Sequence, residues 1–130
     1  MTLVVDASAV AEILLGTCRG AVAAGELGDH ALIAPSHLDV EVVSVIRGWA
    51  LGRRIGEGRA LLALEEFGQL GIETVDLRDN LSAVFALRHN VSAYDAVYVV
   101  LARAAGCPLL TLDARLAAAA PDCAHVPDGV

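Results

Sequence analysis

Four acidic residues stand where an otherwise apolar chain has no packing use for charge. Asp6 closes the run TLVVD (2–6), and Asp113 closes LLTLD (109–113). Asp95 lies near the start of SAYDAVYVVLARAAG (92–106), which reads as one apolar helix. Glu41 lies near the start of SHLDVEVVSVIRGWALG (36–52). Carboxylates gathered in one place repel: two unit charges ~4 Å apart cost about 4 kcal/mol at an effective dielectric near 20. Such a group takes up protons or binds a cation. Donors that are all carboxylate oxygen, with no His or Cys among them, suit a hard metal, Mg²⁺ or Mn²⁺. The four histidines (His30, His37, His89, His125) show no ligand spacing, and only His37 falls near the same helix start as Glu41.

Each acid taken singly has a plainer reading. Asp6 and Asp113 suit helix caps, Asp95 completes an S-x-x-D capping box with Ser92, and Glu41 borders an apolar stripe from which it reaches water. Capping explains a place at a helix start. It does not explain why four separate segments would deliver acids to one edge of a fold.

The elements that must deliver them follow from periodicity and punctuation. Strands are expected at 2–6, 30–35, 72–77 and 107–113, with a fifth, edge strand at 123–127. Helices are expected at 8–16 (Ser8 as cap, Gly16 as stop), 18–27, 36–52 (Ser36 as cap, Asp39 completing a capping box), 57–71, 78–90 (Asp79 or Asn80 as cap), 92–106 and 114–120. Strands alternate with helices, so the expected architecture is α/β: a three-layer α/β/α sandwich around a mainly parallel sheet of four to five strands. In such a sheet ligands bind outside the carboxyl ends of the strands. Asp6 and Asp113 end strands, Asp95 and Glu41 begin helices, and all four therefore belong on one rim.

Composition narrows the function. The chain has 130 residues, fits a single domain over 1–130, and is 56% hydrophobic but only 4% aromatic, so Ala, Val and Leu must build the core. Part of that apolar excess suits a subunit interface, with 8–16 and 57–71 as candidate helices. The formal charge of −7 argues against a general nucleic-acid coating protein but not against a metal-dependent enzyme acting on nucleic acid. All nine basic residues are Arg. Without Lys, P-loop nucleotide binding and Schiff-base chemistry are excluded. Phosphoryl-transfer folds that pair strand-end Asp with Lys rank low for the same reason. Cys18, Cys107 and Cys123 make neither a zinc ribbon nor a disulfide framework and read as small core residues in a reducing compartment. The N-terminal apolar run has no basic lead and is interrupted by Asp6, so no signal peptide or membrane span is expected, and the localisation expected is cytoplasmic.

Four stretches, VVDASA, PSHLDVEVVSVIR, SAYDAVYVVLA and LLTLD, together resemble the PIN-domain nucleases, most closely the VapC-type toxins of bacterial toxin–antitoxin pairs. They occur in that family's order and span nearly the whole chain. The resemblance implies a Mg²⁺- or Mn²⁺-dependent endoribonuclease that leaves 5′-phosphate and 3′-hydroxyl ends. It also implies a cognate VapB-like antitoxin, with a homodimer and a toxin–antitoxin hetero-oligomer. By position the catalytic and metal-binding acids are Asp6, Glu41, Asp95 and Asp113. Ser8 and Thr111 match small hydroxyl positions that orient a carboxylate or a water. Where many members have Asn three residues after the helix Glu, this chain has Ser44. Where many carry another Asp just after TLD, it has Arg115 and Leu116.

A polyanion also needs cations. Arg47, Arg53, Arg54 and Arg59 cluster around the end of 36–52 and the turn after it, and Arg19 joins from another segment; Arg19, Arg47, Arg53 and Arg54 are the candidate RNA contacts. A helix C-terminus attracts Arg for its own reasons. The competing reading is a non-catalytic α/β binding subunit whose acids are caps.

Overall fold

The computed structural model describes residues 1–130 and contains five strands: β1 (Thr2–Val5), β2 (Ala31–Pro35), β3 (Glu73–Val75), β4 (Leu109–Leu110) and β5 (Ala124–His125). All pair in parallel, in the order β3-β2-β1-β4-β5. The central strands are the apolar ones: Leu3, Val4, Val5, Leu109 and Leu110 are all buried, as a strand covered on both faces requires. The edge strand β3 is short and exposes Glu73 and Thr74, which discourages pairing with another chain.

Seven α-helices cover the sheet: α1 (Ala7–Leu15), α2 (Cys18–Leu27), α3 (Leu38–Leu51), α4 (Glu57–Gln69), α5 (Leu81–Ala86), α6 (Ala93–Ala105) and α7 (Ala114–Ala119). Helix α1 packs against α2, α3 and α4, while α6 lies on β1, β2 and β4 with α5 beside it. The result is the three-layer α/β/α arrangement. No single helix is long and apolar enough to cross a membrane.

Alanine and glycine let the helices approach closely. Ala7, Ala9 and Ala11 of α1 are buried. A β-carbon at Gly20 would stand 2.0 Å from the Glu12 carbonyl oxygen and 2.3 Å from its carbonyl carbon, so α2 rests directly on the backbone of α1. Replacing Gly20 by Ala must separate the two helices, since backbone cannot yield as a flexible side chain does. We expect Gly20→Ala to cost about 3 kcal/mol or more, as severe overpacking does, read as a lower urea midpoint. Gly25→Ala in the same helix meets nothing within 4 Å and should be neutral or better.

Several local expectations are corrected. Helix α1 begins one residue early, so Asp6 caps it in place of Ser8. Helix α3 has no side-chain cap: His37, the residue before it, is already helical (φ −75°, ψ −4°). A side-chain cap needs extended backbone, so the Ser36–Asp39 box does not form. The stretch 78–90 is a 3₁₀ turn (Arg78–Asn80), the short α5 and further turns, with Asp76 accepting from the Arg78 amide. Only Val84 of α5 is buried, too little packing to sustain a longer helix. Of the cysteines, Cys18 is exposed and not a core residue, whereas Cys107 and Cys123 are half-buried and pack against the main core. Finally, of the two candidate interface helices, α1 shows Ser8, Glu12, Ile13 and Leu15 only in part, whereas α4 exposes Leu61 and Leu62.

Candidate active site

Strand order reverses at β1: the chain runs from β1 through β2 to β3 on one side, then returns to place β4 on the other. Adjacent strands that send their connections opposite ways leave a crevice beyond their carboxyl ends. Asp6 directly follows β1, and Thr111, Leu112 and Asp113 directly follow β4. Helices α3 and α6 start at the same rim, with Glu41 and Asp95 in their first turns. Asp6 caps α1 and Asp113 caps α7 by accepting from the Arg115 amide. Capping and rim placement are thus one fact, because four helix N-termini hold four carboxylates at the mouth of the sheet.

Asp6 is the fixed point of the site. It is 5% exposed. Its Oδ1 accepts from the Ser8 hydroxyl at 2.7 Å and from the Ala9 amide at 3.0 Å. Its Oδ2 accepts from the Thr111 hydroxyl at 2.5 Å. The two hydroxyl oxygens in turn accept from the next loop: Leu112 N–H donates to Ser8 Oγ and Asp113 N–H to Thr111 Oγ1, each at 3.0 Å. Each hydroxyl owns one hydrogen, and both are spent on Asp6. The 3.3 Å approach of the two oxygens to each other therefore carries no hydrogen of its own. Asp6 thereby holds, through two hydroxyls, the loop that carries Asp113. Ser8 and Thr111 sit where the sequence places them, beside the acid.

The charges are not internally balanced. Burial pushes the Asp6 carboxyl up to about 6, against the pull of its three hydrogen bonds, and Asp95 adds to the rise. Asp95 is raised by burial and then by Asp113. Glu41 reaches the same neighbourhood by another route. It accepts from the buried Tyr98 hydroxyl at 2.6 Å and lies 2.9 Å from His37 Nε2. Tyr98 is pushed far up, first by burial, then by Glu41, with smaller contributions from Asp6 and Asp95. Asp95 and Asp113 line a common cleft of 390 Å³ with Ser92, Asn90 and Arg115. Arg115 is nearly fully exposed and 3.8 Å from Asp113, a weak counter-charge.

These are donors of the type a hard divalent cation takes: carboxylate oxygen, in excess of any cation in reach. No three His, Cys, Asp or Glu side chains stand at a spacing that alone encloses an ion. The acids lie along the rim and are not drawn to one point.

Among the arginines, Arg19 donates to the Leu112 carbonyl oxygen and pairs with Glu12 at 3.3 Å, so it braces the loop after β4. Arg47 is exposed on α3, and Arg53 and Arg54 follow its far end, which is about 15 Å along the axis from Glu41 at 1.5 Å per residue. Arg54 lies over the Trp49 ring, and Arg59 ties α4 to the Leu14 carbonyl of α1. The sequence reading passed over Tyr98. Its signal was the spacing from Asp95, three residues on along the same helix.

Residues 3–121 match the family model described as PIN domain. The chain is 42% identical over 122 residues to Ribonuclease VapC1 of Mycobacterium tuberculosis (strain CDC 1551 / Oshkosh), covering 89% of each protein. It is 36% identical over 115 residues to Ribonuclease VapC12 of the same organism, covering 88% of this chain and 89% of that one. Among solved structures, Mycobacterium tuberculosis VapC20, described as a sarcin–ricin loop cleaving toxin, superposes with TM-score 0.66 at 20% identity, covering 91% of this chain and 95% of that one. PAE2754 from Pyrobaculum aerophilum superposes at TM-score 0.70 and 20% identity, covering 95% and 83%.

Proposed function

The chain belongs to the PIN-domain family as a VapC-type endoribonuclease toxin, and from that membership we propose that Asp6, Glu41, Asp95 and Asp113 are the acids that carry its chemistry. The observation behind this assignment is the hydrogen-bonded chain from Asp6 through Ser8 and Thr111 to the Asp113 loop. A cap alone does not need two converging hydroxyls from opposite ends of the sequence. Hydrolysis leaves a 5′-phosphate and a 3′-hydroxyl.

The four acids would hold Mg²⁺ or Mn²⁺. When bound, the cation supplies a more acidic water and charge neutralisation at the scissile phosphate. The protein's own residues do the rest. Ser8 and Thr111 keep both Asp6 oxygens oriented, so the carboxylate does not rotate. Tyr98 fixes the Glu41 carboxylate by donating to it, and His37 lies against the same oxygen while its Nε2 bonds the Tyr94 carbonyl. Asp95 and Asp113, half-exposed across a shared cleft, face the substrate side, where a carboxylate can accept the proton of the attacking water. Arg115 and Arg19 give the acidic rim its local positive charge.

The assembly is a homodimer and a complex with a VapB-like antitoxin. A groove of 540 Å³ lined by Val43, Leu64, Phe67 and Ile72 suits an apolar helix of that partner. A basic side chain from the same partner, laid among the acids, would silence them. The three free cysteines are in keeping with a cytoplasmic setting.

The test is end-group analysis of RNA digested with Mg²⁺, with Mn²⁺ or with chelator. Wild type should give 3′ ends that poly(A) polymerase extends, and chelator should reduce cleavage at least a thousandfold, reversibly. Asp95→Asn should be inactive in every condition while melting no lower than wild type, because Ser92 still caps the helix and a carboxylate raised by burial and Asp113 is removed. Cyclic 2′,3′-phosphate ends, or cleavage indifferent to chelator, would overturn the assignment.

A further inference from the structure

Tyr94 is an aromatic residue that the core does not use. Its side chain is 69% exposed, in a chain with only 4% aromatics, yet it adjoins Asp95 in the first turn of α6. A second ring holds it there. His37 Nε2 lies 3.1 Å from the Tyr94 carbonyl oxygen and 2.9 Å from Glu41 Oε1. Both are acceptors, so Nε2 carries a hydrogen and the imidazole is pinned between α3 and α6. From that position its ring stands 5.1 Å from Tyr98 on the buried side and 6.2 Å from Tyr94 on the open side, tilted by 45°.

Clefts open on both sides of this turn. One contains Asp95, Asp113 and Arg115. The other, of 270 Å³, is lined by Ser36, His37, Leu81 and Arg78. Exposed apolar surface flanked by cations is how proteins hold single-stranded nucleic acid, bases stacked on rings and phosphates on arginine. We infer that Tyr94, propped by His37, is the stacking platform for one RNA base beside the scissile phosphate, with Arg78 and Arg115 holding the backbone on either side. This rests on the ribonuclease reading above and adds to it where the substrate lies. The strand crosses the first turn of α6, from the Arg78 cleft to the Arg115 cleft.

The experiment measures KM and kcat for a short single-stranded RNA that wild type cleaves. It compares Tyr94→Ala, Tyr94→Phe and Tyr94→Trp, on intact RNA and on a series with one abasic nucleotide moved past the cleavage site. Tyr94→Ala should raise KM about tenfold with kcat within threefold, as loss of one stacked base does. The Phe and Trp variants should stay near wild type. At one position, removing the base should raise the wild-type KM tenfold and leave that of Tyr94→Ala unchanged. An unchanged KM for Tyr94→Ala, a Phe variant as weak as Ala, or no base-dependent position overturns the platform alone. So does a Tyr94→Ala protein with intact RNA kinetics and weakened antitoxin binding, which would assign the ring to a protein contact. Wild type that cleaves no RNA at all overturns the enzyme reading, and the platform with it.

Discussion

Asp6→Asn should abolish RNA cleavage, by at least a thousandfold, and at the same time raise the melting temperature of the metal-free protein. The carboxyl is held near 6 in the fold against an ordinary value of 3.8. Between those values the native state binds more protons than the unfolded chain, so stability falls as pH rises. The favourable contribution is complete below pH 4 and is gone once pH passes about 6. At neutral pH the ionised carboxylate costs the fold ~3 kcal/mol, at about 1.4 kcal/mol for each tenfold change. Asn has no such cost and still accepts from the Ala9 amide, so the α1 cap survives. The hydrogen bond from Thr111 is strained or lost, which offsets part of the gain. The net expectation at pH 7.5 in chelator is about +3 °C or more, with the wild-type decline from pH 4 to 7 flattened. Thermal melts across pH test it. A variant that loses stability would return Asp6 to the role of a simple cap.

Thr111→Val should cost about 2–3 kcal/mol and at least tenfold in activity, although it changes no volume. Thr111 is fully buried. Its hydroxyl supplies Asp6 Oδ2 with a proton and gives the Asp113 amide an acceptor. Valine strips a buried carboxylate oxygen of its donor and orphans an amide, the expensive way to lose a hydrogen bond. Loss of an orienting partner behind a metal-binding acid typically costs tenfold to a hundredfold in function. Thr111→Ser should recover most of both. In the Asp6→Asn background the stability cost should shrink, because the unsatisfied group no longer carries charge. Equal costs in both backgrounds would show that the hydroxyl acts independently of Asp6.

The sheet and the rim were legible because Asp6 and Asp113 each end an apolar run that burial makes unambiguous, and because Glu41 and Asp95 stand at the starts of the two helices that begin on that edge. The bounds expected for the helix at 18–27 match the structure, where the Thr17 side chain caps its start and Gly28 follows its end. The caps of 8–16 and 36–52 were not legible. Ser, Asp and His are all plausible at a helix start, and a shift of one residue decides which of them reaches the amide. Tyr98 was hidden because a Tyr in an apolar stripe reads as core, and the carboxylate it serves lies 57 positions away in the chain. The arginines show the same limit. Arg47, Arg53 and Arg54 are neighbours in sequence, whereas Arg19, Arg78 and Arg115 come to the rim from three elements that only the fold assembles.

The bond between Thr111 and Asp6 joins residues 105 positions apart. The site therefore closes only when two distant parts of the chain meet: without β4 beside β1, Asp6 lacks the hydroxyl that orients its second oxygen and Asp113 has no strand end to stand on, so no fragment that stops short of β4 carries the complete set of acids.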